Sequence, residues 1–137
     1  MTLSRLPCRR TRAVAALLSV AAWVAGCGKS PAAASEVVVV PAEAQFRASL
    51  TVWPDTPERP GRSSPVFSHY RPQLRFTGAP DRTCTLMIPK PATALPPGET
   101  MDVLFGCDGE LRIHRDQPAF DVLEGGKKIG QGRWLPS

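Results

Sequence analysis

A chain of 137 residues has room for one domain, and its formal charge of +5 suggests a nucleic-acid partner until the distribution is considered. Arg5, Arg9, Arg10 and Arg12 all precede the apolar run that opens at Ala13, which leaves 13 of the 17 basic residues after Cys27 against 12 acidic ones. A domain that close to neutral is no electrostatic footprint for a phosphate backbone.

The chain opens with a basic stretch, Met1 to Arg12, followed by the uncharged Ala13 to Gly26. That is the order of a secretory signal, and the uncharged run is shorter than the ~20 residues a membrane-spanning helix needs. It ends Val24-Ala25-Gly26-Cys27, which looks like the lipobox of bacterial lipoproteins. Small residues let a peptidase close on extended backbone, and the Cys27 thiol is the nucleophile that would accept diacylglycerol. Gly28 and Lys29 follow, with no Asp after the cysteine, a pattern compatible with outer-membrane sorting. The expected location is therefore the bacterial cell envelope, lipid-anchored at the outer membrane and facing the periplasm. From Cys27 to Glu43 the composition reads as a tether, with a Val37–Val40 run ahead of Pro41 that has the makings of an edge strand.

From Ala44 the period becomes two. Phe46, Ala48, Leu50 and Val52 alternate with polar neighbours, as do Leu74 with Phe76, and Cys84 with Leu86 and Ile88. Further short runs follow at Met101 to Phe105, Leu111 to Ile113, Phe120 to Val122 and Ile129 to Leu135, separated by Pro/Gly-rich connections. Six or so short strands without a helical period predict a small antiparallel barrel or sandwich. Gly125-Gly126 between two strands predicts a tight hairpin with positive φ. Gly130 and Gly132 predict a face of the last strand that a neighbour approaches closely. Tyr70-Arg71-Pro72 predicts the start of a strand, with the tyrosine ring buried and its hydroxyl in water.

Cys84 and Cys107 are the two cysteines of the predicted folded part, and in an exported chain they are a candidate disulfide. If their strands pair as antiparallel neighbours about a loop centred between Leu95 and Pro96, Ile88 faces Val103, Leu86 faces Phe105 and Cys84 faces Cys107. Such a position suits disulfide geometry.

Two stretches carry a family resemblance. Residues 60–76 read P-G-R-S-S-P-V-F-S-H-Y-R-P-Q-L-R-F, and residues 120–132 read F-D-V-L-E-G-G-K-K-I-G-Q-G. They resemble the last domain of the elongation factor Tu family of translation GTPases, with its G-G-R-x-T-P-F/V-x-x-x-Y-R-P-Q-F stretch and later F-x-x-R-E-G-G-x-T-x-G-x-G ending. Asp81, Thr83 and the P-P-G-E turn at Pro96 to Glu99 are weaker landmarks between them. The resemblance implies a six-stranded antiparallel β-barrel over residues 44–137, behind a signal peptide at 1–26 and the lipidated cysteine and tether at 27–43. It also implies a binding face, because Arg62, Gln73, Thr83, Glu124 and Gly125 match positions that contact the acceptor-T stem of aminoacyl-tRNA in that family. Leu123 stands where the family has an arginine, Glu110 lies near a basic or neutral position, and one residue is added around Gly78 to Pro80. These departures, and the lack of net charge, lead to the expectation that nucleic acid is not bound.

The sequence shows no G-x-x-x-x-G-K-S/T phosphate loop and no Cys/His spacing suited to zinc, so no nucleotide, metal or other cofactor is expected. His69 and His114 read as surface residues. Ser63 and Ser64 lie in a loop without a nucleophile elbow, and Glu124 has no evident partner acid. The expected protein is a non-enzyme: a lipid-anchored binding module that holds an unknown envelope protein or ligand. The alternative is a translation-related RNA- or factor-binding protein whose leader is not processed.

Overall fold

Period-two alternation carries directly into the strands. The computed structural model describes residues 36–137; the signal-peptide stretch, Cys27 and the tether as far as residue 35 lie outside the described residues. Ten strands follow in order: β1 (Val37–Val40), β2 (Gln45–Val52), β3 (Val66–Phe67), β4 (Gln73–Phe76), β5 (Arg82–Met87), β6 (Ala94–Leu95), β7 (Thr100–Cys107), β8 (Leu111–His114), β9 (Ala119–Glu124) and β10 (Lys127–Leu135). Six of them close into an antiparallel barrel in the order β10-β2-β7-β5-β4-β9, with β9 and β10 completing the ring. This is the six-stranded antiparallel barrel expected from the sequence. Closure leaves those six strands no unpaired edge.

The barrel interior is filled by the apolar member of each alternating pair. Phe46, Ala48, Leu50 and Val52 of β2 are buried, and so are Leu74 and Phe76, Leu86, Val103 and Phe105, and Phe120 and Val122. Four rings from four strands meet there: Phe76 and Phe120 lie 4.8 Å apart between centroids, Phe46 and Phe105 5.9 Å, and Phe105 and Phe120 6.0 Å. These spacings are those of favourable tilted and edge-to-face pairs. Gly132 makes room for this cluster, since a Cβ there would collide with the Phe120 ring and the Ser49 carbonyl. Gly130 likewise lies against the Thr51 carbonyl, as expected of a strand face stripped of side chains.

The registers define two poles. At the first, β2 begins with Gln45 opposite Gly106 near the end of β7, and β10 ends with Leu135 opposite Arg47. At the second, β2 ends at Val52, β7 begins with Thr100 opposite Thr51, and β9 meets β10 at the Glu124–Lys127 turn. β1 pairs with β8, Val37↔His114 to Val40↔Leu111. β1 leads into β2 and β8 joins β7 to β9, and all of these junctions lie at the first pole. The β1–β8 ribbon therefore caps that pole, with Val40, Leu111 and Ile113 buried in the main core. The valine run expected within the tether is thus a strand of the fold. Pro41 follows its last residue, where no ladder donor is needed.

Cys84 and Cys107 form a disulfide, with Cα atoms 3.9 Å apart. The register is the expected one, Cys84↔Cys107 and Leu86↔Phe105. The connection between β5 and β7 is not a plain hairpin, however. β5 stops at Met87, and the Ile88 amide donates to Ser68 Oγ at 2.9 Å rather than extending the ladder toward Val103. The chain then detours through β6, which pairs with β3.

Candidate functional site

The two motif stretches converge at the second pole. Trp53 to Pro65 folds back on itself: the Arg62 amide donates to the Trp53 carbonyl at 2.8 Å and the Asp55 amide to the Arg62 carbonyl at 3.2 Å. Gly61 is required by that fold-back, because a Cβ would run into the carbonyls of Trp53 and Pro54. The result is to aim Arg62 at the end of β9. Its Nη1 donates to both Glu124 carboxylate oxygens at 2.8 Å each, while Nε and Nη2 donate to the Ser64 carbonyl and hydroxyl at 3.4 and 3.3 Å. Tyr70 completes the group: its hydroxyl donates to Glu124 Oε2 at 2.9 Å, and the Arg62 guanidinium lies 5.0 Å from the centre of its ring. The hydroxyl is therefore engaged with a carboxylate rather than simply in water.

Glu124 is the last residue of β9, and it is fixed there by the two-residue turn Gly125-Gly126, with φ values of 57° and 78°. Two successive positive φ angles match the right-handed twist of the flanking strands, which explains the glycine pair. The electrostatics follow from the geometry. Partial burial opposes ionisation of Glu124, but the hydrogen bonds from Arg62 and Tyr70 outweigh it and hold the carboxyl below its ordinary value. Burial, then the hydrogen bond to Glu124, pushes the Tyr70 phenol well above its ordinary value. For Arg62, burial works in the opposite direction and its bonds to Glu124 prevail, so its pKa rises. At neutral pH the three groups form a fixed cation, a fixed anion and a neutral donor. A carboxylate saturated in this way is a positioned acceptor rather than a proton donor.

Beside the network lies an open cleft of about 390 Å³, lined by Asp55, Gly61, Arg62, Ser63, Ser64, Glu124 and Lys127 among others. Lys127 has no ion-pair partner among the described residues. Trp53 marks the edge of this region, with Arg59 4.0 Å from its ring centre on one contact and Lys128 5.2 Å on another.

Of the five residues expected on a binding face, Arg62 and Glu124 are bonded to each other, and Gly125 adjoins them in the turn. Gln73 is exposed and lies in register between Thr83 on β5 and Leu123 on β9. Thr83 is half-buried. These two lie next to the network without sharing its hydrogen bonds. Leu123 is only 2% exposed, so it packs as an apolar side chain and presents nothing outward. Glu110 lies at the first pole, where it pairs with Arg112 at 3.3 Å. His69 is exposed with a φ of 74°, and His114 pairs with Val37 in the cap.

Sequence reasoning missed Tyr70 as a member of the network, and Asp55 and Lys127 as cleft residues. The signal for Tyr70 was its place in the same motif as Arg62. Asp55 and Lys127 carried no signal, because only the fold-back of the 53–65 loop brings them together. No family model matches the chain.

Proposed function

We propose that this protein is an exported, lipid-anchored, non-catalytic binding module of the bacterial cell envelope, and that its contact surface is the loop pole of the barrel. The observation that carries the binding surface is the Arg62–Tyr70–Glu124 network beside an open polar cleft. Residues 62 and 124 are remote in sequence, and their mutual fixing keeps Ser63, Ser64 and Lys127 at a constant spacing. Pre-ordered polar groups bind at lower entropic cost than mobile ones. The anchor rests on the sequence: the basic start, the short apolar run and Val24-Ala25-Gly26-Cys27. The resemblance of residues 60–76 and 120–132 to the elongation factor Tu C-terminal domain supports a recognition role. The partner class that fits the cleft is a polar protein segment able to meet both a free ammonium and serine hydroxyls.

Two experiments test the two halves. A clickable palmitate analogue labels the wild type in cells and leaves Cys27→Ala unlabelled; equal labelling removes the anchor. A photo-crosslinking residue placed at Ser63 yields a discrete adduct that Arg62→Ala abolishes, while the same residue at Arg47 on the barrel wall yields none. Equal adducts at both positions would remove the cleft as the contact surface. The translation-related alternative draws on the adjacency of Gln73, Thr83, Glu124 and Gly125 on one surface. Fractionation separates it, since that reading requires soluble cytosolic protein.

A further inference from the structure

The two poles differ in how far each can stand from a membrane. Residue 36 opens the described chain immediately before β1, and β1 belongs to the cap at the first pole. With the anchor at Cys27, nine Cα-to-Cα steps reach Glu36, a span of about 30 Å at full extension. That is comparable to the diameter of a domain of this size, so the root of β1 stays within about one domain diameter of the bilayer. The cleft lies at the opposite end of strands such as β2, which at eight residues and ~3.3 Å per residue separates the poles by roughly 20 Å once strand tilt is allowed for.

The cap also carries the side chains for such a contact. Three large hydrophobic residues are exposed among the described residues, and two of them, Val37 and Val39, lie at 39% and 49% exposure on β1. In register, His114 and Arg112 lie beside them on β8, so the outer face of the ribbon alternates apolar and basic groups. Arg115, whose amide donates to the Glu36 carbonyl at 3.0 Å, follows the ribbon and turns instead toward the barrel, its guanidinium 5.6 Å from the centre of the Trp134 ring. Arg112 pairs with Glu110 at 3.3 Å, so the face is amphipathic rather than strongly charged.

We infer that the outer face of the β1–β8 ribbon seats on the membrane surface that holds the Cys27 anchor, so that the Arg62–Glu124 cleft points away from it. This rests on the lipid-anchor reading. Two valines bury too little apolar area to bind a bilayer alone, but a covalent anchor makes the contact intramolecular, and a weak contact then suffices.

The test supplies the anchor chemically, so its result does not depend on lipidation in cells. The chain from Cys27 to Ser137, which contains the whole barrel and its cap, is coupled through Cys27 to a maleimide phospholipid. The vesicles are phosphatidylethanolamine and phosphatidylglycerol, and Cys27 is the one free thiol once Cys84–Cys107 is oxidised. Amide hydrogen exchange is compared with that of the same chain capped at Cys27 and free in solution. The expected result is several-fold slowing on vesicles confined to residues 36–40 and 111–115, with residues 59–64 and 124–128 unchanged. A Val37→Asp, Val39→Asp double variant loses that slowing while β2 and β7 keep their protection. No slowing at the cap, or slowing at the cleft pole, overturns the inference. Concentration-dependent slowing of the capped soluble chain at residues 36–40 also overturns it, by assigning the ribbon to a second copy. Failure of palmitate labelling in cells would sink the anchor reading and leave this measurement unaltered.

Discussion

The two ends of the barrel are built by different physics. The cap pole is closed by backbone pairing and apolar burial: a four-residue ribbon, Val40, Leu111 and Ile113 in the core, and the Cys84–Cys107 disulfide at the end of β7. The loop pole is held by side-chain charge and by glycines: Arg62 on Glu124, the Tyr70 hydroxyl on the same carboxylate, and turns that Gly61, Gly125 and Gly126 favour. Burial and cross-linking at one pole supply stability. At the other, the same chain spends sequence on fixing polar groups where solvent reaches them, which contributes little stability and much definition. The difference teaches where variants should hurt folding and where they should hurt recognition.

The largest effect belongs to the cap pole. Replacing both Cys84 and Cys107 by alanine removes a cross-link across 23 residues, worth about 3 kcal/mol in the chain-entropy model. Urea melts should show that loss, and mass spectrometry after alkylation of the wild type should show no modified Cys84 or Cys107 until reductant is added. Two free thiols in the oxidised sample would leave the cap pole resting on packing alone. A smaller loss is expected at the loop pole. Arg62→Ala breaks a pair whose side chains are 22% and 46% exposed, so about 1 kcal/mol is the expected cost.

The pH dependence sharpens the same contrast. Glu124 has a folded pKa depressed from 4.5, so its contribution is present above that value and lost as pH falls through the folded pKa. Tyr70 has a folded pKa raised from 10.0, so its contribution is present below that value and lost as pH rises toward the folded pKa. Tyr70 is the chain's one tyrosine, which makes its phenolate absorbance a clean probe. The titration midpoint should lie above 10, and Glu124→Gln should bring it down, since that change removes the carboxylate while leaving the ring buried. An unmoved midpoint would mean that burial alone sets it.

Much of the barrel was legible because period-two alternation is a local signal. Phe46 to Val52 declares its buried face residue by residue, and pairing β5 with β7 about a centre between Leu95 and Pro96 set Cys84 opposite Cys107. The detour of residues 88–99 was not legible, because the β3–β6 pairing joins two-residue strands far too short to carry a pattern. Val37–Val40 was underread for a related reason: four consecutive valines show no alternation, and the partner β8 that makes them a strand is some seventy residues away. At the loop pole the motif residues Arg62 and Glu124 were visible, but their contact was not. It depends on the fold-back at Gly61, where the deciding fact is the missing Cβ.

The smallest expected effect is on tRNA. Arg62, Gln73, Thr83, Glu124 and Gly125 lie near one another at or beside the loop pole, yet the mature chain should show no useful affinity for tRNA in filter binding at near-physiological salt. Affinity for a phosphate backbone comes chiefly from counterion release, and each phosphate neutralised needs an available cation. Here Arg62 is committed to Glu124, Lys128 pairs with Asp121 at 2.9 Å, and Leu123 is buried where the resembling family offers an arginine. Lys127 in the cleft, Arg59 and Arg71 make no ion pair among the described residues, and so few phosphate contacts do not suffice at that salt. Lys127→Ala should accordingly change stability by less than about 0.5 kcal/mol and leave tRNA retention at background, while lowering the envelope crosslink. Sub-micromolar retention that both Arg62→Ala and Gln73→Ala weaken would reverse the contrast between the poles: the loop pole would then be an RNA-binding surface, and the cytosolic, translation-related reading would replace the envelope one.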